Sequence, residues 1–110
     1  MIKSVTINNK TIKMKASAAT PRLYRELFKR DIFIDYEKLI SQEEDIEHMT
    51  VFENMAYTMA KQADSTIPDS IEDWLDGFDD IYSICEILPT IIDLWNGNLD
   101  THSEPQKKTS

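Results

Sequence analysis

Apolar residues alternate with polar ones in two short runs, 4–7 and 11–14, and recur at every third or fourth position in segments from residue 20 onward. The first spacing fits a strand and the second a helix, so the chain must change architecture near residue 16. Ser4-Val-Thr-Ile7 and Thr11-Ile-Lys-Met14 alternate on either side of Asn8-Asn9-Lys10. Val5 and Ile7 share one face, as do Ile12 and Met14, and the asparagines suit a tight turn. The pattern predicts a β-hairpin over residues 3–15. A lone hairpin is marginal in water, so one face should rest on a helix.

Helical periodicity fills the remainder. Thr20-Pro21 reads as an N-cap followed by proline in the first turn. Leu23, Leu27 and Phe28, with Tyr24 beside them, form the expected buried stripe of a helix reaching about Arg30, whose terminal cations suit the helix dipole. Asp35–Ile40 predicts a second, shorter helix, and residues 41–45 a solvated connection. Residues 46–63 carry the clearest helical pattern, with Met49, Phe52, Met55 or Ala56, Met59 and Ala63 on one face. Ser70 followed by Asp73 resembles a capping box ahead of Ile71, Trp74, Leu75 and Phe78, with a stop near Gly77. A last helix should begin at Asp79 or Asp80, with Ile81, Ile84, Leu88, Ile91 or Ile92, and Trp95 as its stripe. Pro89 interrupts that stripe, so either the helix kinks at Leu88 or a new one starts there. Asn96-Gly97 predicts a left-handed cap. The expected fold is α+β and mainly α. It comprises one domain over residues 1–98, with a hairpin and a bundle of four or five helices between about 20 and 97. Residues 99–110 hold one apolar residue, Leu99, and are expected to form a disordered tail.

Charge narrows the function. The chain carries a net −8, split between +7 over residues 1–30 and −15 over residues 31–110. A net-negative chain opposes nucleic-acid binding, and the split points to attraction within the fold or between subunits, including self-association. No stretch is long and apolar enough to cross a membrane, and the opening residues lack the apolar core of a signal peptide. The single cysteine, Cys85, excludes an internal disulfide, fits a reducing compartment and reads as a small core residue on a helix. Chemistry is hard to find. His48 and His102 have no ligand-spaced partner, and the aspartates around Gly77 fail calcium-loop spacing because leucine and Ile84 stand where ligands are needed. The two glycines, Gly77 and Gly97, are isolated and cannot form a phosphate-cradling loop. No catalytic residue, metal ligand or cofactor site is assigned, and the chain is expected not to be an enzyme.

The unusual content is apolar. Trp74, Phe78, Tyr82 and Trp95 fall within 22 residues of acidic sequence. Two roles fit them. They are core, or part of the stripe lines an acid-rimmed groove for an amphipathic helix, with a methionine wall that can repack. On the second role the partner-binding residues are Met49, Phe52, Met55, Met59, Trp74, Phe78, Ile91 and Trp95.

The order of motifs also resembles a family. After the hairpin come L-Y-R-E-L-F at 23–28, A-Y-T-M-A-K-Q-A-D at 56–64, I-P-D-S-I-E-D-W-L-D-G-F at 67–78 and I-L-P-T-I-I-D-L-W at 87–95, then a polar tail with lysines. Across essentially the whole chain this resembles the tail assembly chaperones of long-tailed phages and prophages of Gram-positive bacteria. The resemblance implies a non-catalytic protein of the host cytoplasm, absent from the finished virion. Such a protein binds the hydrophobic tape measure protein, keeps it soluble and helps recruit tail tube subunits. It also implies a longer form made by ribosomal frameshifting, for which the codons of Gln106-Lys107-Lys108 could supply the slippery heptamer. The rival reading is an acidic inhibitor or antitoxin-like protein that occupies a basic site on its partner. Truncation after Asn98 is expected to leave the melting temperature nearly unchanged, and a large drop would show that the tail docks on the body.

Overall fold

The computed structural model describes residues 2–7, 9–41, 46–80 and 82–97, with the backbone alone at 46 and 47. Strands β1 (Ile2–Ile7) and β2 (Lys10–Lys15) pair antiparallel, Ile7 opposite Lys10 and Ile2 opposite Lys15. Asn9 takes a left-handed φ of 68°, which asparagine tolerates better than most residues. Alternation does what it should. Ile7 and Met14 are buried and Val5 and Ile12 partly so, while Lys13 and Thr11 face solvent.

Five helices follow. They are α1 (Thr20–Phe28), α2 (Ile32–Ile40), α3 (Ile46–Ala63), α4 (Ile71–Leu75) and α5 (residues 88–97). A 3-10 turn over Ser83–Ile87 leads into α5. The described residues share one core, with α3 at its centre packed against β2, α1 and α2. From Val51 to Ala60 only Glu53 is not fully buried, so α3 is enclosed on nearly all sides rather than on one stripe.

Several expectations shift by a residue or a face. Thr20 is the first residue of α1, not its cap. Its hydroxyl accepts from Ser17 N at 2.9 Å and donates to Gln62 Oε1 at 2.6 Å, tying the entry of α1 to the end of α3. The buried line of α1 runs through Thr20 and Tyr24, leaving Leu27 exposed. Lys29, at φ 59°, ends α1 earlier than Arg30. Asp31 then caps α2, which begins at Ile32, three residues ahead of expectation, and accepts from the backbone N–H groups of Phe33 and Ile34. The connection at 42–45 and the tail from residue 99 lie outside the described residues. Pro89 sits in the first turn of α5, where its missing N–H costs nothing, and so a new helix begins there. Gly97 is still helical, and no glycine among the described residues has positive φ, so the left-handed cap is not found there. Cys85 is exposed, against expectation. The three-residue period of the 3-10 turn sends Ile84 and Ile87 inward and Cys85 outward. Ile81 lies outside the described residues.

A buried polar contact joins the first three helices. Asp35, 2% exposed, accepts two bonds from Arg30, Nε at 2.7 Å and Nη2 at 2.9 Å, and a third from the Tyr24 hydroxyl at 2.6 Å. Asn54 of α3 also acts on the same phenol, in the direction that lowers its value. Burial alone would push the Asp35 carboxyl up, but the bonds from Arg30 and Tyr24 outweigh it and hold the group below its ordinary value. Burial, then the bond to Asp35, pushes the Tyr24 phenol up, so it stays protonated and donates.

At the far end, Trp95 stacks on Tyr36 at 4.9 Å between ring centres and meets Phe33 edge-on at 5.3 Å. Trp95 is buried, and Trp95→Ala is expected to cost about 3–5 kcal/mol, read from chemical denaturation. Asp35→Asn is expected to cost about 1–3 kcal/mol at neutral pH, since the phenol and guanidinium lose a charged acceptor. Because the folded carboxyl titrates lower than the unfolded one, its contribution is complete above the unfolded value and disappears as pH falls through the folded value. The gap in melting temperature between wild type and Asp35→Asn should therefore close on acidification below about pH 4. A pH-independent gap would mean that the charge is not what stabilises this contact.

Candidate partner-binding pocket

The carbonyls and side chains after α3 fix the next loop in place. Lys61 donates from Nζ to the carbonyls of Ser65 at 3.2 Å and Ile67 at 2.9 Å and to Asp69 Oδ1 at 2.8 Å. The bond to Asp69 holds the Lys61 ammonium above its ordinary value and, reciprocally, the Asp69 carboxyl below its own. Tyr57 donates to the carbonyl of Pro68 at 2.5 Å, and Asp64 accepts from the N–H and hydroxyl of Thr66. With the loop pinned, Ser70 caps α4, its Oγ accepting from Asp73 N at 3.3 Å. Trp74 is thereby turned toward α3.

Trp74 and Phe78 meet edge-on at 5.1 Å, and Trp74 meets Tyr57 at 5.6 Å. Phe28 and Tyr24 continue the series inward, with Phe28 6.3 Å from Tyr57 and 5.4 Å from Tyr24. Beside the outer pair lies a pocket of about 200 Å³ lined by Ile7, Ile12, Pro68, Trp74, Gly77 and Phe78. Lys10, Asp73 and Asp79 also line it. Lys10 reaches across from the hairpin to donate to the carbonyl of Gly77 at 3.0 Å. Gly77 fits tightly, since a Cβ there would stand 3.3 Å from the Trp74 carbonyl oxygen. A second hollow of about 340 Å³ shares Ile12 and Trp74 and is also lined by Ala60, Ala63, Asp64 and Ile67. Glu72, Asp76 and Asp80 add exposed carboxylates around α4. The arrangement can take an apolar side chain and favours cations around it.

The eight proposed partner-binding residues separate into three groups. Trp74 and Phe78 line the pocket. Phe52, Met55 and Met59 are buried in the core along α3, so the methionines wall no open groove here, and Met49 lies at the exposed start of the same helix. Ile91 and Trp95 are buried in α5, with Trp95 against α2 rather than near α4. The reason is packing. A stripe at helical spacing marks the face that other elements cover, and α3 is covered by the hairpin as well as by helices.

Ile7, Ile12, Lys10 and Pro68 complete the pocket and were not singled out from the sequence. The inward face of the hairpin carried the signal for the two isoleucines, but only tertiary packing brings them to α4. His48 places Nε2 2.8 Å from the carbonyl of Leu39, a contact between the start of α3 and the end of α2. His102 lies outside the described residues, within which no group of three His, Cys, Asp or Glu could hold a metal ion. No helix among the described residues is long and apolar enough to cross a membrane. Comparison with protein families, with characterised proteins and with solved structures finds no match to this chain.

Proposed function

We propose that this chain is a non-catalytic tail assembly chaperone that binds hydrophobic helical segments of a phage tape measure protein and helps recruit tail tube subunits. The observation that carries the reading is the acid-rimmed aromatic pocket beside Trp74 and Phe78. An apolar receptor with carboxylates at its edge receives an apolar anchor flanked by lysine or arginine, a common form of amphipathic helix. The motif order from 23 to 95 supports the same role by resemblance. On this reading the protein acts in the host cytoplasm and leaves before the virion is complete. The rival reading as an acidic inhibitor has no use for an apolar hollow among the carboxylates.

Co-expression with tape measure segments tests the proposal, with the soluble fraction of the segment as readout. Wild-type protein is expected to keep the segment in solution. Phe78→Ser and the pair Asp73→Lys/Asp79→Lys, all at exposed or half-exposed positions, are expected to lose most of that effect while remaining folded. A segment that precipitates equally with and without the wild-type protein would sink the chaperone role. Full activity in both variants would move the site elsewhere. Loss in the charge variant alone would favour the inhibitor reading.

A further inference from the structure

The basic surface of the chain has its own cleft, on different elements from the pocket beside Trp74. Pro21 and Arg25 fall on one line of α1, Lys29 follows four residues later as its left-handed cap, and the chain turns there into α2. Between the helices lies a cleft of about 500 Å³, within the range of sites that bind small ligands and short peptide segments. Ile32 and Phe33 close its far side, and Phe33 is 56% exposed.

The cations here are not equivalent. Arg30 is committed to Asp35, and exposed Arg22 lies 3.4 Å from Glu26. Arg25 has no acidic partner among the described residues, and the only bond described for Lys29 Nζ goes to the Glu26 carbonyl at 3.2 Å. Like charges four residues apart on a helix repel. The one carboxylate in the lining, Asp31, is occupied as the cap of α2. The helix dipole accounts for cations at this end of α1, but not for the exposed ring beside them. That ring is held in place from behind by Trp95 at 5.3 Å, so it is presented rather than loose.

We propose that the α1–α2 cleft docks an acidic segment of a partner protein, whose apolar side chain packs on Phe33 while its carboxylates pair with Arg25 and Lys29. Charge complementarity selects the partner, because Arg25 and Lys29 have no acidic side-chain partner among the described residues and line the same cleft as the exposed ring, on a chain of net charge −8. The apolar wall and the overall negative charge select protein over nucleic acid. The inference is independent of the chaperone reading.

The test titrates full-length protein, followed by anisotropy, into a labelled short peptide alternating glutamate with leucine and phenylalanine. A glutamine-for-glutamate twin and a labelled oligothymidine serve as comparisons. The acidic peptide is expected to bind in a salt-sensitive manner and to lose roughly tenfold or more in affinity with Arg25→Glu/Lys29→Glu. Phe33→Ser should lose several-fold. If the charge reversal unfolds the protein, Arg25→Gln/Lys29→Gln replaces it and should still weaken binding. Equal binding of the glutamine twin, or affinity unchanged in both the charge and Phe33 variants, would overturn the proposal. So would tighter binding of oligothymidine through the same cations without Phe33. Self-association abolished by the same variants, with no peptide binding, would overturn it too and assign the cleft to a second copy of the chain.

Discussion

The bidentate bond from Arg30 to Asp35, with the Tyr24 hydroxyl on the same carboxylate, sets the angle between the first two helices. It supplements a small direct contact, since α1 and α2 touch each other far less than each touches α3. A buried carboxylate is costly unless its lone pairs are filled, and here three donors fill them. Specificity follows from that cost. A bundle that buried Asp35 away from Arg30 and Tyr24 would strand the charge, so such alternative packings of these short amphipathic helices are disfavoured. Both candidate surfaces inherit the result. Phe33 faces the cleft because Asp35 faces in, and Tyr24 begins the run of rings that ends at Phe78.

The charge asymmetry survives folding. Most lysines and arginines of the hairpin and α1 are exposed, as are the aspartates around α4, and Lys10 lies beside Asp73 and Asp79. Arg30–Asp35 joins the basic and acidic parts of the chain, whereas Lys10 meets a backbone carbonyl rather than a carboxylate. Attraction between the two parts therefore does little to hold the described fold together. Burial of Tyr24, Tyr57, Met14, Met55 and Met59 does far more, each of them at most 2% exposed.

The change of spacing near residue 16 carried the fold class, because alternation and helical periodicity are local properties. The 46–63 helix and the pairing of the two strands around Asn9 were readable for the same reason. Which face would be covered was less readable. Leu27 and Tyr24 are both acceptable on a buried stripe, and only the position of Asp35 decides that Tyr24 goes inside. Cys85 came out because a 3-10 turn changes the period, which a scan for α-helical spacing does not detect. The candidate site was visible in Trp74 and Phe78 and in the carboxylates around them. Its other wall comes from residues some sixty positions earlier, Ile7 and Ile12, and no local pattern announces that meeting.

The enclosure of α3 also bears on how the protein is made. Its walls come from both ends of the chain, with Met14 of β2 and Ile91, Leu94 and Trp95 of α5 in the same core. A nascent chain that has reached the end of α3 still lacks part of the cover for that helix. The core is complete only when residues 91–95 join it, so the hairpin and first helices lack part of their cover until then. Structure of this kind forms as one unit once α5 is available, not in stages along the chain.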